Sequence, residues 1–339
     1  MAEELLKRKI SFQITGHSLE KLSPLASNWH VPFFSMNLEV ASELKKIPSE
    51  IKYILNCAGP FNLFAVNLLE YISSKKIIYL DVSGEESFVY NSYQQNEKTQ
   101  STLIHACAFE SFVADALALR LKKTNLSFLG LSSFYYFSNP RVSPGTRLSM
   151  QLVRHFQNHA YENSKWINCA PGEKNLEIRF EGLDSKYCKA IFAPYPEVVF
   201  FASAHKSQNA HSYILTKEND WTPFGNDPKE EKSIEQLLVK HRSLNRPGPD
   251  LEDRKDGRFM VGVHATYQDQ SVGRAQVFGF DTYQITASII VEMLEALRRL
   301  PELPSGVFAP SQLVDSFHIL ESLREEFSLS FNFQASSSG

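Results

Sequence analysis

Over roughly its first 124 residues the chain alternates short apolar runs with longer stretches of helical periodicity. Ile10 to Thr15, Val31 to Met36, Tyr53 to Leu55, Ile77 to Val82 and Thr102 to Ala108 read as strands. Met1 to Lys9 reads as the tail of a helix, with a basic end suited to a helix C-terminus. Leu19 to Ser27, Val40 to Lys46, Phe61 to Ser74, Glu86 to Thr99 and Phe109 to Lys123 also read as helices. Leu63, Val66, Leu69 and Tyr71 lie near one face of the third of these, and Phe112, Ala116, Leu119 and Arg120 recur along the last. Strand, tight turn, helix, strand is a βαβ unit, and Tyr53 to Glu85 is its clearest instance. Runs that are apolar on both faces need helices above and below, so the sheet is expected to be parallel and buried. Ligands of such sheets sit beyond the carboxyl ends of the strands, where Asn56 to Pro60 and Asp81 to Glu85 lie.

From Leu126 the pattern changes. Leu126 to Ser138 is a long strand rich in aromatic residues, and Gly145 to Asn163 reads as a helix. Asn175 to Phe180, Cys188 to Phe192, Glu197 to Ala204 and His211 to Leu215 read as short strands separated by turns, which suits a mostly antiparallel sheet. Residues 217–258 are polar and charged, helical only at Ser233 to His241, and are expected to form a long surface insertion. Phe259 to Tyr267 and Gly273 to Phe278 are strands again. Asp281 to Leu300 is an amphipathic helix with Ile285, Ile289, Met293, Ala296 and Leu300 along one stripe. The expected organisation is a first domain over 1–124, an α+β substrate or dimerisation domain over 125–280 with the insertion 217–258, and C-terminal helices over 281–335 returning toward the first domain.

Composition changes little in this picture. A chain of 339 residues is long enough for two domains, and 43% hydrophobic with 22% charged residues describes an ordinary globular protein. A net charge of -3 gives no sign of a nucleic-acid partner. No stretch is long and apolar enough to span a bilayer, and the acidic residues in Met1 to Lys9 argue against a secretory signal. Cys57, Cys107, Cys169 and Cys188 show no metal spacing, so the expectation is no metal, buried reduced thiols and a cytoplasmic location.

Three motifs in order, NCAGPF at Asn56 to Phe61, YLDVSGE at Tyr79 to Glu85 and CAFESFVAD at Cys107 to Asp115, resemble the dinucleotide-binding half of the saccharopine dehydrogenase-like oxidoreductases, a group that includes the trans-acting enoyl reductases. Typical members read NCAGPF, YLD-x-x-GE and CGFDS-x-P-x-D. The resemblance continues in VSPGTRLSM at Val142 to Met150, in GRAQVFGFDTYQITASIIVEML at Gly273 to Leu294 and in SGVFAP at Ser305 to Pro310. It implies an α/β protein: a Rossmann-type doubly wound parallel sheet followed by an α+β domain that covers the cofactor cleft.

One piece of that pattern is absent from the sequence. A dinucleotide-binding fold opens with a central strand, a glycine-rich turn and a helix whose N-terminus receives the pyrophosphate. TGHSLEKL at Thr15 to Leu22 stands where the family has AGRS-x-x-KL, after that first unit. The Rossmann-type sheet is therefore expected to be N-terminally truncated, with Ile10 to Thr15 and Tyr53 to Leu55 on either side of the missing strand. Either the two strands close on each other or the sequence is a fragment of a longer product.

The resemblance implies NADP or NAD as cofactor, bound weakly or not at all here, with Gly16, His17, Ser18, Lys21, Asn56, Ala58, Gly59, Pro60 and Asp81 as the residues that would touch it. His17 replaces an arginine that would suit a 2'-phosphate, which weakens the case for NADP. On the residues alone, Gly59 and Pro60 equally suit a tight strand-to-helix turn, Asp81 and Glu85 suit helix caps, Glu110 and Ser111 are caps or ligands, and Cys107 and Asp115 suit the core. No catalytic residue is identified, since the nicotinamide carries the hydride chemistry. The expected function is an NAD(P)-dependent oxidoreductase acting on a small molecule, lipid-like or amino-acid-derived, and a homodimer by resemblance. The alternative is a non-catalytic binding or scaffold protein on the same fold.

Overall fold

The computed structural model describes residues 1–95, 98–138, 142–180, 183, 188–216, 233–243 and 248–336. The first helix, α1 (Ala2–Lys7), leads through an extended stretch to β1 (Ile14–Gly16), α2 (Leu19–Trp29) and β2 (Phe33–Ser35). These two strands pair in parallel, Ile14 opposite Phe33 and Gly16 opposite Ser35. A second parallel sheet takes β3 (Tyr53–Asn56), β4 (Ile78–Asp81) and β5 (Thr102–Ile104), joined through α3 (Phe61–Phe64), α4 (Val66–Ile72) and α5 (Glu86–Gln95). The helix expected over Phe61 to Ser74 is thus two short ones, divided at the fully buried Ala65. Parallel strands alternating with helices are what the periodicity requires. Their division into two sheets is not: among the described residues β1 pairs only with β2, and β3 only with β4.

Helix α6 (Phe109–Leu121) lies at the centre of the molecule, with every position from Phe109 to Ala118 except Glu110 buried. Its sequence, FESFVADALALRL, is apolar nearly all round rather than along one stripe, as a helix covered on every side must be. It packs against both the parallel sheet and the larger sheet that follows.

Among the described residues that larger sheet has nine strands. Its main path runs β15 (Ser330–Ser336), β13 (Val272–Phe280), β12 (Arg258–Tyr267), β6 (Phe128–Ser138), β11 (Ala210–Thr216), β10 (Cys188–Phe192) and β9 (Asn175–Ile178). Only the β6–β11 pairing is parallel among these, so the mostly antiparallel expectation describes it well. The remaining two strands, β7 (His159–Glu162) and β8 (Lys165–Asn168), form a hairpin attached to β11.

Three elements differ from the sequence reading. The helix expected over Gly145 to Asn163 is α7 (Pro144–Leu152) with one further 3-10 turn, and the hairpin β7–β8 follows it. Asn163 and Ser164 at its tip both have positive φ, 50° and 61°, which is the backbone of a two-residue hairpin loop. Glu197 to Ala204, expected as a strand, is the helix α8 (Glu197–Ser203), buried from Glu197 to Ala202. A short run apolar on all sides carries no period that separates strand from helix. Finally, the C-terminal region holds strands as well as helices. After α11 (Thr282–Arg298), β14 (Gly306–Phe308) joins the parallel sheet beside β5, α12 (Ser316–Ser322) packs on α6, and β15 closes the edge of the nine-stranded sheet. In α11 the expected stripe is buried at Ile285, Ile289 and Met293, while Leu300 lies beyond the helix and is 40% exposed.

Much of the polar stretch 217–258 lies outside the described residues, namely 217–232 and 244–247. The described part contains α9 (Ile234–Ser243) and α10 (Leu251–Asp256). Leu237 of α9 is buried against Leu148 and Leu152 of α7, which places this helix over the region between the two halves of the molecule. Among the described residues no helix is long and apolar enough to cross a membrane.

Candidate functional site

A cavity of about 1910 Å³ opens along β1 and β3, reaches past their carboxyl ends and is covered by the second half of the chain. Its walls include Gly16 and His17 after β1, Asn56 to Pro60 after β3, Gly84 and Glu85 after β4, and Ala108 to Glu110 at the start of α6. Ser149 of α7, Tyr195, His241 and Arg242 of α9 and Tyr283 of α11 close it from the other side. The carboxyl ends of parallel strands are where the open backbone of a doubly wound sheet receives ligands.

The sequence-derived site residues fall into three groups. Gly16, His17, Asn56, Ala58, Gly59 and Pro60 line the cavity. Ser18 caps α2 by accepting from the Lys21 N–H at 3.4 Å, and Lys21 is an exposed residue of that helix that does not line the cavity. Asn56 is buried, its Oδ1 accepting from Ala58 N at 2.9 Å and its Nδ2 donating to the Tyr79 hydroxyl at 3.0 Å, so its side chain builds the turn. Gly59 is followed through a cis peptide by Pro60, and a Cβ there would stand 3.0 Å from the Phe61 ring. Cys57 is exposed, unlike the buried thiol expected of it.

Asp81 is removed from the site altogether. It is fully buried and does not line the cavity. Its Oδ1 accepts from Ala106 N at 2.8 Å and Ser83 N at 3.0 Å, and its Oδ2 lies 2.6 Å from His105 Nδ1. The other ring nitrogen of His105 lies 2.7 Å from Ser92 Oγ. Serine, histidine and aspartate thus stand in the order of a nucleophilic triad. Ser92 is only 3% exposed and outside the cavity, however, and a nucleophile needs a path to substrate. The arrangement ties β4, β5 and α5 together.

Glu85 is committed in a different way. Its carboxylate accepts from Phe61 N, Asn62 N and Asn62 Nδ2, each at 2.9 Å, and from Ser149 Oγ at 2.9 Å. It therefore caps α3, across the cleft from its own strand, rather than α5. A resident carboxylate on these N–H groups excludes a phosphate from them. Two further helix starts beside the cavity have partners: α2 in Ser18, and α6 through Phe109 N, which donates to Thr286 Oγ1 at 3.1 Å, while α1, whose Met1 and Ala2 line the cavity, has no side-chain cap. The two turns can face the nucleosides of a dinucleotide, but the starts of α2 and α3, which follow those turns, already hold Ser18 and Glu85 where its diphosphate would rest. The residues present do not fit the whole group.

Sequence reasoning gives Glu110 only as a cap or a ligand and does not single out Glu197, and burial pushes both carboxyls up. Glu197 is fully buried on α8 and accepts from Ser133 Oγ and the Tyr135 hydroxyl, both at 2.6 Å, and from Ser111 Oγ at 2.9 Å. Glu110 lines the cavity beside Tyr195, with Glu197 behind it. Burial, reinforced by the Glu197 charge, pushes the Glu110 carboxyl up to about 7. A carboxyl raised in this way binds its proton more tightly in the folded chain, so its contribution to stability is present below the unfolded value and is lost as pH rises through about 7. Between pH 5 and pH 8 wild type is expected to lose on the order of 2–3 kcal/mol relative to Glu110→Gln, measured by urea unfolding at both pH values. Nothing in the spacing of Glu110, Tyr135 and Glu197 along the chain announces that they meet. Among the described residues no group of three or more His, Cys, Asp or Glu side chains is placed to hold a metal ion.

Comparisons with known proteins bear on this geometry. No family model matches the chain. It is 33% identical over 76 residues to a protein of Arabidopsis thaliana described as a probable mitochondrial saccharopine dehydrogenase-like oxidoreductase, a match covering 21% of this chain and 17% of that protein. It is 28% identical over 100 residues to the trans-acting enoyl reductase of Mycobacterium ulcerans, covering 28% of this chain and 23% of the relative. The chain thus matches less than a quarter of the length of either. Among solved structures, apo saccharopine dehydrogenase (L-Glu forming) from Saccharomyces cerevisiae aligns over 96% of this chain and 94% of its own, with a TM-score of 0.54 and 11% identity, which is a likeness of fold.

Proposed function

We propose that this chain, a relative of the saccharopine dehydrogenase-like oxidoreductases, carries the substrate-covering domain and the nucleoside-binding turns of an NAD(P)-dependent oxidoreductase. The observation that supports this reading most is the large cavity where the turns after β1 and β3 converge under α7, α9 and α11. Gly16, His17 and, at the rim, Ser18 and Lys21 would face the adenosine end. Ala58, Gly59 and Pro60 would face the nicotinamide end, with Asn56 shaping their turn. The substrate is a small molecule, lipid-like or an amino-acid-derived imine. The apolar cavity residues Phe109, Phe137 and Ile214 suit a greasy portion. Four free cysteines fit a reducing, cytoplasmic-type compartment, and homodimerisation through the nine-stranded sheet belongs to the same reading.

The cofactor is held weakly by this chain, because the helix starts that follow the two turns, α2 and α3, are already taken by Ser18 and Glu85. Titration of the protein with NADPH and NADH, followed by nucleotide fluorescence, is expected to give no saturation below about 100 µM. Single-site binding near about 1 µM would show that a glycine-rich turn is not needed. The closure of the α3 start by Glu85 favours a second reading, a binding protein on the same fold that performs no hydride transfer. Turnover of any enone or imine with NADPH would exclude it.

A further inference from the structure

Glu110, in the first turn of α6, and Tyr195, just before α8, line the cavity side by side. Among the described residues the Glu110 carboxyl has no partner beyond its own N–H, and the Tyr195 hydroxyl has none. Both are held in place from behind. The Tyr135 hydroxyl donates to the Glu110 carbonyl at 3.3 Å, its ring centroid lies 4.8 Å from that of Tyr195, and Tyr195 N donates to Ser212 Oγ at 3.1 Å. Phe109, Phe137, Ala193, Pro194 and Ile214 line the same cavity, with the Phe109 and Phe137 rings 6.1 Å apart and Ile214 opposite Tyr135 in the sheet. The charge that faces Glu110 is that of Glu197 on α8. Tyr135 and Tyr195 are the other titratable groups beside it, both pushed up by burial, and α11, packed on the start of α6 through Thr286, adds Thr282 and Tyr283 to the cavity. Two neighbouring buried carboxyls do not both ionise. Glu197 accepts from three hydroxyls, which offset its burial, so Glu110 is the one that keeps its proton.

We propose that Glu110 and Tyr195 form a two-donor site for a carbonyl oxygen, each giving its O–H to one uncharged acceptor at the end of an apolar ligand. A tyrosine beside an un-ionised carboxylic acid is a pairing that holds such an oxygen and takes up the charge that grows on it. The apolar wall around the two donors excludes a charged head group, whose desolvation nothing there offsets. Of the two substrate chemistries, the site selects the lipid-like carbonyl, because a protonated imine carries a charge and offers a donor no lone pair. That this ligand is the substrate rests on the oxidoreductase reading; that the site binds a carbonyl does not.

The probe is 2-nonanone labelled with carbon-13 at its carbonyl, added to the full chain without nucleotide, with nonylamine as its cationic counterpart. In an NMR titration the ketone is expected to saturate with its carbonyl resonance moved downfield. Its Kd is expected to rise about tenfold between pH 6 and pH 8, as Glu110 loses its proton. Glu110→Gln keeps an N–H donor and is expected to bind alike at both pH values. Glu110→Ala and Tyr195→Phe are each expected to weaken binding about five- to tenfold. Absence of saturable ketone binding, a Kd indifferent to pH, or an alanine or phenylalanine variant that binds like wild type would overturn the proposal. So would nonylamine binding more tightly than the ketone at pH 6. No nucleotide takes part, so a failure of NADPH turnover counts against the oxidoreductase reading and leaves this site standing.

Discussion

Asp81→Ala is expected to destabilise the chain by about 3–5 kcal/mol, measured by urea unfolding at neutral pH. The loss has three parts that act together. His105 is left facing an apolar methyl inside a site with no water access, and the N–H groups of Ala106 and Ser83 lose their acceptor. Each buried donor left without a partner costs about 1–3 kcal/mol, and the three share one carboxylate, so their costs do not simply add. Asp81→Asn separates the contributions. Its carbonyl can still accept from both N–H groups, and its amide can donate to His105 if the ring moves its proton to the nitrogen facing Ser92. The asparagine variant is expected to lose less than half as much as the alanine variant. A cofactor-binding role for Asp81 would instead leave stability nearly unchanged in both.

Glu85→Ala is the second large effect, expected at about 2–4 kcal/mol by the same measurement. One carboxylate joins the turn after β4, the start of α3 and Ser149 of α7, so its removal loosens the Asn56 to Pro60 turn and the contact between the two halves of the chain. Glu85→Gln keeps one acceptor oxygen but sets an amide against N–H donors, and is expected to fall between wild type and alanine. Ser149→Ala removes only the contact to α7 and is expected to cost about 1 kcal/mol. If Glu85 were simply a cap for its own helix, the glutamine variant would behave like wild type.

The parts of this molecule that were legible in the sequence are those written in local pattern. Strands β3, β4 and β5 follow from short apolar runs bounded by turn residues, and α11 from its stripe at Ile285, Ile289 and Met293. The Asn56 to Pro60 turn follows from a glycine and a proline placed between strand and helix. Helix α8 was misread because Val198 to Phe201 is buried on every side, and burial of that kind erases periodicity. The hairpin β7–β8 was passed over because its loop is Asn163-Ser164, a weaker turn signal than Asn-Gly.

Long-range partnerships were not legible at all. Asp81 meets His105 across 24 positions, and Glu197 meets Ser111 across 86. A polar residue that ends a strand looks the same in sequence whether it faces a ligand or a buried histidine. Pairing between sheets is likewise a property of the assembled fold. The sequence placed β1 and β3 on either side of one position in a sheet, and that they belong to separate sheets lining one cavity is a fact of the structure.

The measurement that bears most directly on the account is residue-resolved amide hydrogen exchange of the chain alone. The account predicts alternation: slow exchange at Ile14, Gly16, Ile54 and Asn56, whose backbone groups face β2 or β4, and fast exchange at Thr15, Tyr53 and Leu55, which face away from those strands. Uniform protection along both strands would mean that β1 and β3 pair with each other in solution, and would contradict it.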